Sequence, residues 1–290
     1  MQAVDVFTEH RPLLFGIAYR MLGSVMDAED AVQETYMRWQ QTNEAEVRSA
    51  KSYLSTIVTR LCIDQLRSAR SRREQYIGPW LPEPLITDDM PELHERPELA
   101  DSISMAFLVV LEALSPVERA VFLLRDVFDY EYAEIAHIVD KSEPNCRQMA
   151  RRARQHVAGR HQRFDVSREQ VEALMRRFLR TAAEGDMDAL LSMLAEDATV
   201  WSDGGGKVAA AINPIEGAAK VARFFVGILK KTPGIMDGRV VEVNGSPGVV
   251  TYLDGRLYSV LTLDMDGDRV RAVRVVNNPE KLRHLPQSPA

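Results

Sequence analysis

The stretch from residue 142 to residue 157 carries side chains that suit hydrogen bonding to DNA bases. At helical spacing, glutamine and arginine fall on one side of a predicted helix and apolar residues on the other. Arginine bonds guanine edges, glutamine and asparagine bond adenine, and further arginines reach phosphate. The candidates for DNA contact are Ser142, Asn145, Arg147, Gln148, Arg151, Arg152 and Gln155.

A shorter amphipathic helix precedes this face, over Tyr130 to Val139. Asp140-Lys141 breaks it, and Ser142 stands where the N-cap of the second helix is expected. Helix, tight turn and helix predict a helix-turn-helix. The alternative is a solvated basic surface on an ordinary helical hairpin. Residues 141 to 163 hold seven Lys or Arg against one acid, in a chain of net charge −6, which favours local DNA binding.

Three helices are predicted upstream. The first spans Val4 to Leu22, and the second is capped by Asp27 and runs from Ala28 to about Gln41. The third, from about Lys51 to Glu74, is apolar in its first half and rich in arginine in its second. The inner face of the second helix holds Ala28, Ala31, Val32, Thr35 and Trp39. Its outer face holds Asp30, Gln33, Glu34 and Met37, with Arg38 at the edge.

An acidic, proline-rich segment follows, from Gly78 to Asp101. It holds seven acids against one arginine, and its prolines exclude a continuous helix, so we predict a linker without a packed core. It begins with apolar residues, and Trp80 and Leu81 are expected to dock on another part of the chain. Helices are then predicted from Ser102 to Ala113 and, after the capping box Ser115-Pro116-Val117-Glu118, to Arg125.

The pattern changes after residue 164. A capping box at Ser167 opens a helix to Ala183, and Asp186 opens another to Leu194. A strand over Ala198 to Asp203 leads into three glycines, and a helix follows from Glu216 to Lys231. Alternation predicts later strands over 238–243, 248–253, 256–264 and 269–276. Helices followed by a curved antiparallel sheet indicate an α+β domain.

The order of these segments resembles an extracytoplasmic-function (ECF) sigma factor. The resemblance covers residues 1 to about 163. Asp27 to Thr35 resembles the region 2 segment that binds polymerase, Ser52 to Arg67 the helix behind the minus-ten-reading loop, and Ser142 to Arg154 the minus-thirty-five recognition helix. It implies region 2 over 1–76, a linker over 77–101 and region 4 over 102–163.

The tail, 167–290, resembles the SnoaL-like branch of the nuclear transport factor 2 fold, which a subgroup of these sigma factors carries. The resemblance lies in Trp80 to Pro84, Asp203 to Lys207 and Asn278 to Leu282. The last motif departs from the family pattern at Glu280, where Asp is usual. The replacement of Asp by Glu keeps the negative charge. We expect this tail to contact the linker and regulate the two DNA-binding regions, through Trp80, Leu81, Pro82, Asp203, Gly204, Gly205, Gly206, Lys207, Asn278, Pro279 and Lys281.

The resemblance also assigns partners and sites. Core RNA polymerase would bind through its beta-prime clamp and its beta flap, and the residues for the clamp would be Asp30, Gln33, Glu34, Met37 and Arg38. The loop from Thr42 to Ser49 would capture an unstacked non-template base of the promoter. The candidate minus-ten contacts, which otherwise count as solvated helix charge, are Arg48, Lys51, Arg60, Arg67 and Arg70.

Two other functions stay open. A ligand-sensing helix-turn-helix regulator would leave the basic third helix unexplained. A fused isomerase or hydrolase would need a catalytic pair, and Asp203 is the single candidate carboxylate. We therefore expect no catalytic residue, metal or cofactor, while a small-molecule or protein ligand of the tail stays open. Cys62 and Cys146 lie on apolar faces and are expected to be buried thiols. No leader or membrane segment is evident, which predicts a cytoplasmic protein.

Overall fold

The computed structural model describes residues 3–43, 47–73, 76–90, 97–158 and 167–288. Contacts divide the chain into two compact units. One combines the described parts of 1–75 and 107–162, and the other combines those of 76–106 and 163–290. The acidic segment that the sequence presents as a linker therefore belongs to the same unit as the tail.

The helices are named in chain order. They are α1 (Ala3–Leu22), α2 (Val25–Gln40), α3 (Ala50–Arg73), α4 (Pro97–Asp101), α5 (Met105–Leu111), α6 (Pro116–Asp126), α7 (Tyr132–Val139), α8 (Glu143–Ala158), α9 (Arg168–Glu184), α10 (Met187–Met193) and α11 (Ala218–Lys231). Within the described ranges, no helix has the length and apolar character needed to cross a membrane.

The start of α2 differs from the prediction. Gly23 takes a φ of +65° and ends α1, which leaves Ser24 extended. The hydroxyl of Ser24 accepts a hydrogen bond of 3.1 Å from the backbone N–H of Asp27, so Ser24, and not Asp27, is the N-cap. The inner-face residues predicted for α2 are buried, as are both cysteines, which are free thiols.

The helix between the acidic segment and α6 is also shorter than predicted. The hydroxyl of Ser102 donates to the carbonyl of Leu99 at 2.7 Å, a local bond that competes with helix continuation. The chain consequently breaks between α4 and α5. The capping box of α6 forms as predicted, because Ser115 accepts from the backbone of Glu118 and Glu118 accepts in return.

Helices α7 and α8 form the predicted helix pair. Asp140 ends α7 in the left-handed conformation with a φ of +53°, and α8 begins directly after Ser142. The apolar side of α8, from Cys146 to Val157, is buried, which leaves the polar side exposed.

Helices α1 and α3 pack against α6 and α7 inside the first unit. Buried Ser55 on α3 shares a hydrogen bond of 2.6 Å with the hydroxyl of Tyr130, just before α7. Arg119 on α6 donates to the carbonyl of Met21 at 2.6 Å and pairs with Glu112 at 2.8 Å. Burial lowers the pKa of Arg119 to about 9, so this guanidinium remains charged at neutral pH.

The second unit contains one sheet. Its strands are β1 (Leu194–Asp203), β2 (Ile215–Glu216), β3 (Met236–Val243), β4 (Ser246–Leu253), β5 (Arg256–Asp266) and β6 (Arg269–Val276), in the order β2-β1-β6-β5-β4-β3. Strands β1 and β6 pair in parallel, and the other neighbours are antiparallel. The purely antiparallel prediction is wrong for this pair, because a long crossover, and not a hairpin, separates β1 from β6. The short strand β2 occupies the predicted start of α11.

Helices α9, α10 and α11 cover one face of this sheet. Phe178 on α9 meets Phe225 on α11 edge to face, with ring centroids 5.0 Å apart. Val200, Leu261 and Val273 complete the core from the strands. The α+β class predicted for the tail is confirmed, because one sheet face is covered by helices.

The segment from residue 76 to residue 90 packs against this α+β core. Leu81 is 1% exposed, and Ile86 forms an isolated antiparallel bridge with Val243 on the edge strand. Leu81, which was expected to dock on another part of the chain, is buried against the tail. The prolines exclude a helix but leave an extended chain whose apolar side chains can still be buried.

Candidate functional site

The residues predicted to contact bases lie on the exposed side of α8 or just before it. All of Ser142, Asn145, Arg147, Gln148, Arg151, Arg152 and Gln155 are exposed. The guanidinium of Arg147 lies 4.4 Å from the ring centroid of Tyr132 and donates to Glu143 at 3.3 Å. Arg152 pairs with Glu118 at 3.3 Å. These neighbours orient two arginines on the exposed side of α8.

Arg154 has a role that the sequence analysis missed. Its Nε donates to Asp126 at 2.7 Å, and this bond raises the pKa of Arg154. The contact ties α8 to α6, which fixes the recognition helix on its support. Sequence spacing carried no signal for it, because Asp126 lies on a different helix, 28 residues away.

The predicted minus-ten residues do not share one environment. Arg48 and Arg67 are exposed, and Arg67 pairs with Asp64 at 3.2 Å. The ammonium of Lys51 lies 5.0 Å from the ring centroid of Tyr130. Arg60 donates to two backbone carbonyls of α7 at 2.9 Å each. The side chain of Arg70, and residues 44–46 of the predicted base-capturing loop, lie outside the described residues.

The outer face of α2 has the predicted composition. Asp30, Gln33, Met37 and Arg38 are exposed, Glu34 is half-exposed, and the side chain of Met37 is 44% accessible. Arg38 and Glu34 form an i, i+4 ion pair of 2.8 Å, which is exposed and contributes little stability. An accessible methionine among acids and amides is a suitable surface for a basic, partly apolar partner.

The tail and the acidic segment meet at the buried carboxylate of Asp203, which is 0% exposed. Oδ2 accepts from the backbone N–H of Leu81 at 2.8 Å and from the ammonium of Lys281 at 2.7 Å. Oδ1 accepts from the hydroxyl of Tyr76 at 2.6 Å and from the backbone N–H of Gly205 at 3.1 Å. We call these five residues the Asp203 anchor.

Lys281 lies at the centre of the Asp203 anchor. Its ammonium also donates to the carbonyl of Leu81 and lies 4.2 Å from the ring centroid of Trp80. A buried ammonium needs partners of this kind, a carboxylate, a carbonyl and an aromatic ring, because burial without a partner carries a large desolvation cost. Burial, followed by the hydrogen bond to Asp203, raises the pKa of Tyr76, so this phenol remains a proton donor.

The glycine turn permits a close approach of the chain. A Cβ on Gly205 would lie 2.2 Å from the side-chain amide nitrogen of Asn278, and one on Gly206 would lie 2.8 Å from Ile77. Both glycines have positive φ, which disfavours any side chain. Of the remaining predicted residues, Gly204 and Pro82 are buried, Pro279 is exposed, and Lys207 pairs with Glu280 at 3.3 Å.

A second set of contacts, which the sequence analysis missed, holds the next part of the segment on β3. Buried Glu242 accepts from the hydroxyl of Thr87 at 2.8 Å and pairs with Arg168. The side chain of Asn244 accepts from the backbone N–H of Leu85 at 3.0 Å and donates to the carbonyl of Ile103 at 2.8 Å. We call Thr87, Arg168, Glu242 and Asn244 the Glu242 anchor.

The Asp203 anchor is built for holding, not for proton transfer. Both oxygens of Asp203 are occupied by donors, and a general base needs a free lone pair facing a substrate. The phenol of Tyr76 is directed at this carboxylate. The arrangement therefore fixes the acidic segment on the tail through one buried ion pair and its supporting hydrogen bonds.

The sequence and structure comparisons agree. The model for Sigma-70 region 2 matches residues 6–72, and that for Sigma-70 region 4 matches residues 104–157. The chain is 34% identical to the ECF RNA polymerase sigma factor SigJ of Mycobacterium tuberculosis, over 98% of this chain and 94% of SigJ. The chain belongs to the ECF sigma factor family. It is an alternative sigma factor that directs transcription initiation.

Two further similarities support the family. The sigma factor is 31% identical to the probable ECF sigma factor SigI of M. tuberculosis, over 95% of this chain and 93% of SigI. The crystal structure of M. tuberculosis SigJ matches it with a TM-score of 0.77 at 30% identity, covering 98% of this chain and 100% of that one. The predicted fold class and the predicted role as an alternative sigma factor are thus confirmed, and the ligand-sensing regulator is not favoured. Sigma factors act with core RNA polymerase on promoter DNA.

Proposed function

We propose that this sigma factor positions polymerase through three separate surfaces. The outer face of α2 binds the beta-prime clamp, α3 with the loop before it binds the minus-ten element, and the exposed side of α8 binds the minus-thirty-five element next to the beta flap. Exposed acids on α2 and exposed arginines on α8 support this assignment. We assign residues 1–76 to region 2, residues 77–101 to the linker, residues 102–163 to region 4 and residues 167–290 to the tail. The protein is proposed to act in the cytoplasm.

We further propose that the tail regulates initiation by holding the linker. The observation that carries this proposal is the buried ion pair between Asp203 and Lys281. Asp203 accepts a hydrogen bond from the N–H of Leu81, and Lys281 donates one to the C=O of Leu81. A linker held at its backbone has less freedom than a flexible chain of the same length. The tail therefore limits how the two DNA-binding regions can be placed by the linker.

Run-off transcription from a promoter library tests both parts of the proposal. Core polymerase is supplied with the full chain, with an Asp203→Asn variant, or with no sigma factor. Transcription only when the full chain is present supports the polymerase and promoter roles. A different promoter set or yield for Asp203→Asn supports regulation by the tail, and identical output from a folded Asp203→Asn variant contradicts it.

A further inference from the structure

Arg60 is oriented toward the chain's own helix-turn-helix. Its Nε donates to the carbonyl of Ile138 and its Nη2 to the carbonyl of His137, each at 2.9 Å. Both carbonyls belong to the last turn of α7, where the helix leaves its C=O groups without intrahelical partners. The contact therefore satisfies two acceptors with two of the N–H donors of one guanidinium.

The end of α7 presents to Arg60 what a phosphate group would present. Two oxygens lie within reach of adjacent N–H groups of one guanidinium, which is the two-pronged geometry of arginine–phosphate pairs. The C-terminus of a helix also carries a partial negative charge. One guanidinium cannot direct the same two donors at both groups at once.

A second cation of α3 also contacts the 130–138 segment. Lys51, nine residues before Arg60, has its ammonium over the ring of Tyr130, at 5.0 Å from the centroid. Between them, the buried hydroxyls of Ser55 and Tyr130 share their 2.6 Å hydrogen bond. Two cations of α3 are thus engaged by the 130–138 segment, one through an aromatic face and the other through a helix end.

We propose that the side chains of Lys51 and Arg60 form a shared docking surface, which binds either the 130–138 segment or a phosphodiester backbone of promoter DNA, but not both. This inference rests on the proposed minus-ten role of α3. Contacts with the 130–138 segment engage the ammonium of Lys51 and the guanidinium of Arg60 until promoter binding displaces them.

Binding of a labelled single-stranded oligonucleotide of mixed sequence tests the proposal in the full chain. A single strand lacks the major groove that α8 requires, so it reports on α3. Ser55→Met opens the surface by removing the hydroxyl and adding volume, and Ser68→Met is the matched control on the exposed side of the same helix. We expect Ser55→Met to bind the probe at least about fivefold tighter than Ser68→Met.

Arg60→Ala, added to each variant, completes the cycle. It should weaken probe binding several-fold with Ser55→Met and less than about twofold with Ser68→Met, because Arg60 is already engaged in the control. An equal effect of Arg60→Ala in both variants, or equal affinities of the two parent variants, overturns the proposal. Run-off transcription by Ser68→Met separates this failure from a failure of the proposed sigma role, because the control keeps every predicted contact.

Hydrogen exchange of the unmodified protein gives a second test, independent of variant folding. Saturation with the probe should speed amide exchange at Asp140 and Lys141, whose N–H groups bond to Ala136 at the end of α7. Unchanged or slower exchange there, with the probe bound, overturns the proposal.

Discussion

The backbone N–H of Leu81 donates to Oδ2 of Asp203 at 2.8 Å, across 122 residues of chain. The same oxygen accepts from Lys281, which also bonds the carbonyl of Leu81. One residue of the linker is therefore held at both its N–H and its C=O by one buried ion pair. Carboxylate and ammonium need each other as well as Leu81, because either charge alone would be buried without its counter-ion.

Removing the negative charge from the Asp203 anchor should release the linker. In Asp203→Asn, Lys281 stays buried without its counter-ion, and we expect a loss of about 3 to 5 kcal/mol in the free energy of unfolding of the second unit. Chemical denaturation measures it, and Glu280→Gln, at an exposed pair with Lys207, is the control. A loss no larger than that of the control would show that the ion pair does not stabilise the anchor.

The Glu242 anchor should act separately from the Asp203 anchor. Glu242→Gln removes the charge that pairs with Arg168, so the segment near Thr87 should loosen while Leu81 stays protected. Hydrogen exchange at the N–H of Thr87, which bonds to the carbonyl of Glu242 at 2.9 Å, measures this difference. Glu196→Gln, on an exposed position of β1, is the matched control. Equal loosening at residues 81 and 87 would mean that the two anchors form one cooperative unit.

Tyr76 predicts an alkaline limit to stability. Its folded-state pKa is raised above the ordinary value of 10.0 by burial and by Asp203. Below pH 10 both states hold the proton; at higher pH the unfolded state releases it first, so stability falls. The fall is at most about 1.4 kcal/mol per pH unit. Denaturant unfolding measures the free energy of unfolding between pH 9 and pH 11. This free energy should fall less with rising pH in Tyr76→Phe than in the unmodified protein, and Tyr258→Phe is the control. An equal fall in Tyr76→Phe and the unmodified protein would contradict the prediction.

Arg151→Glu should weaken promoter binding by more than about 1 kcal/mol, the scale of one good base or phosphate contact, and should add repulsion from the DNA backbone. Footprinting of holoenzyme measures protection of the minus-thirty-five element. Arg177→Glu makes the same charge change at an exposed position of α9 and should leave protection intact. Unchanged protection by Arg151→Glu would remove Arg151 from the contact face.

Asp30→Arg should reduce affinity for core polymerase without unfolding region 2, because Asp30 is exposed on α2. Charge reversal replaces an attraction to a basic clamp by a repulsion, and we expect at least about a tenfold loss of affinity. Fluorescence anisotropy of labelled protein with core polymerase measures it. Glu9→Arg, exposed on α1, carries the same charge change, and an equal loss for both variants would indicate a general field effect and not a contact.

The sequence by itself determined the local parts of this sigma factor. Capping boxes at Ser115 and Ser167 form between residues three apart, so their pattern is complete within one turn. The buried and exposed sides of α2 and α8 follow from helical periodicity. The order and spacing of the motifs also indicated the family, because both can be read from the sequence alone.

The tertiary structure decided which partners these residues meet. The donors of Arg60 lie 77 and 78 residues before the carbonyls they bond, and Glu242 lies 155 residues after Thr87. Periodicity shows which side of an element faces outward, but it does not show what lies across from it. Three features depend on contacts between residues that are far apart in the sequence. They are the parallel pairing of β1 with β6, the packing of the linker on β3 and the burial of Lys281. These are fixed when the whole core packs, and local propensity carries no information about them.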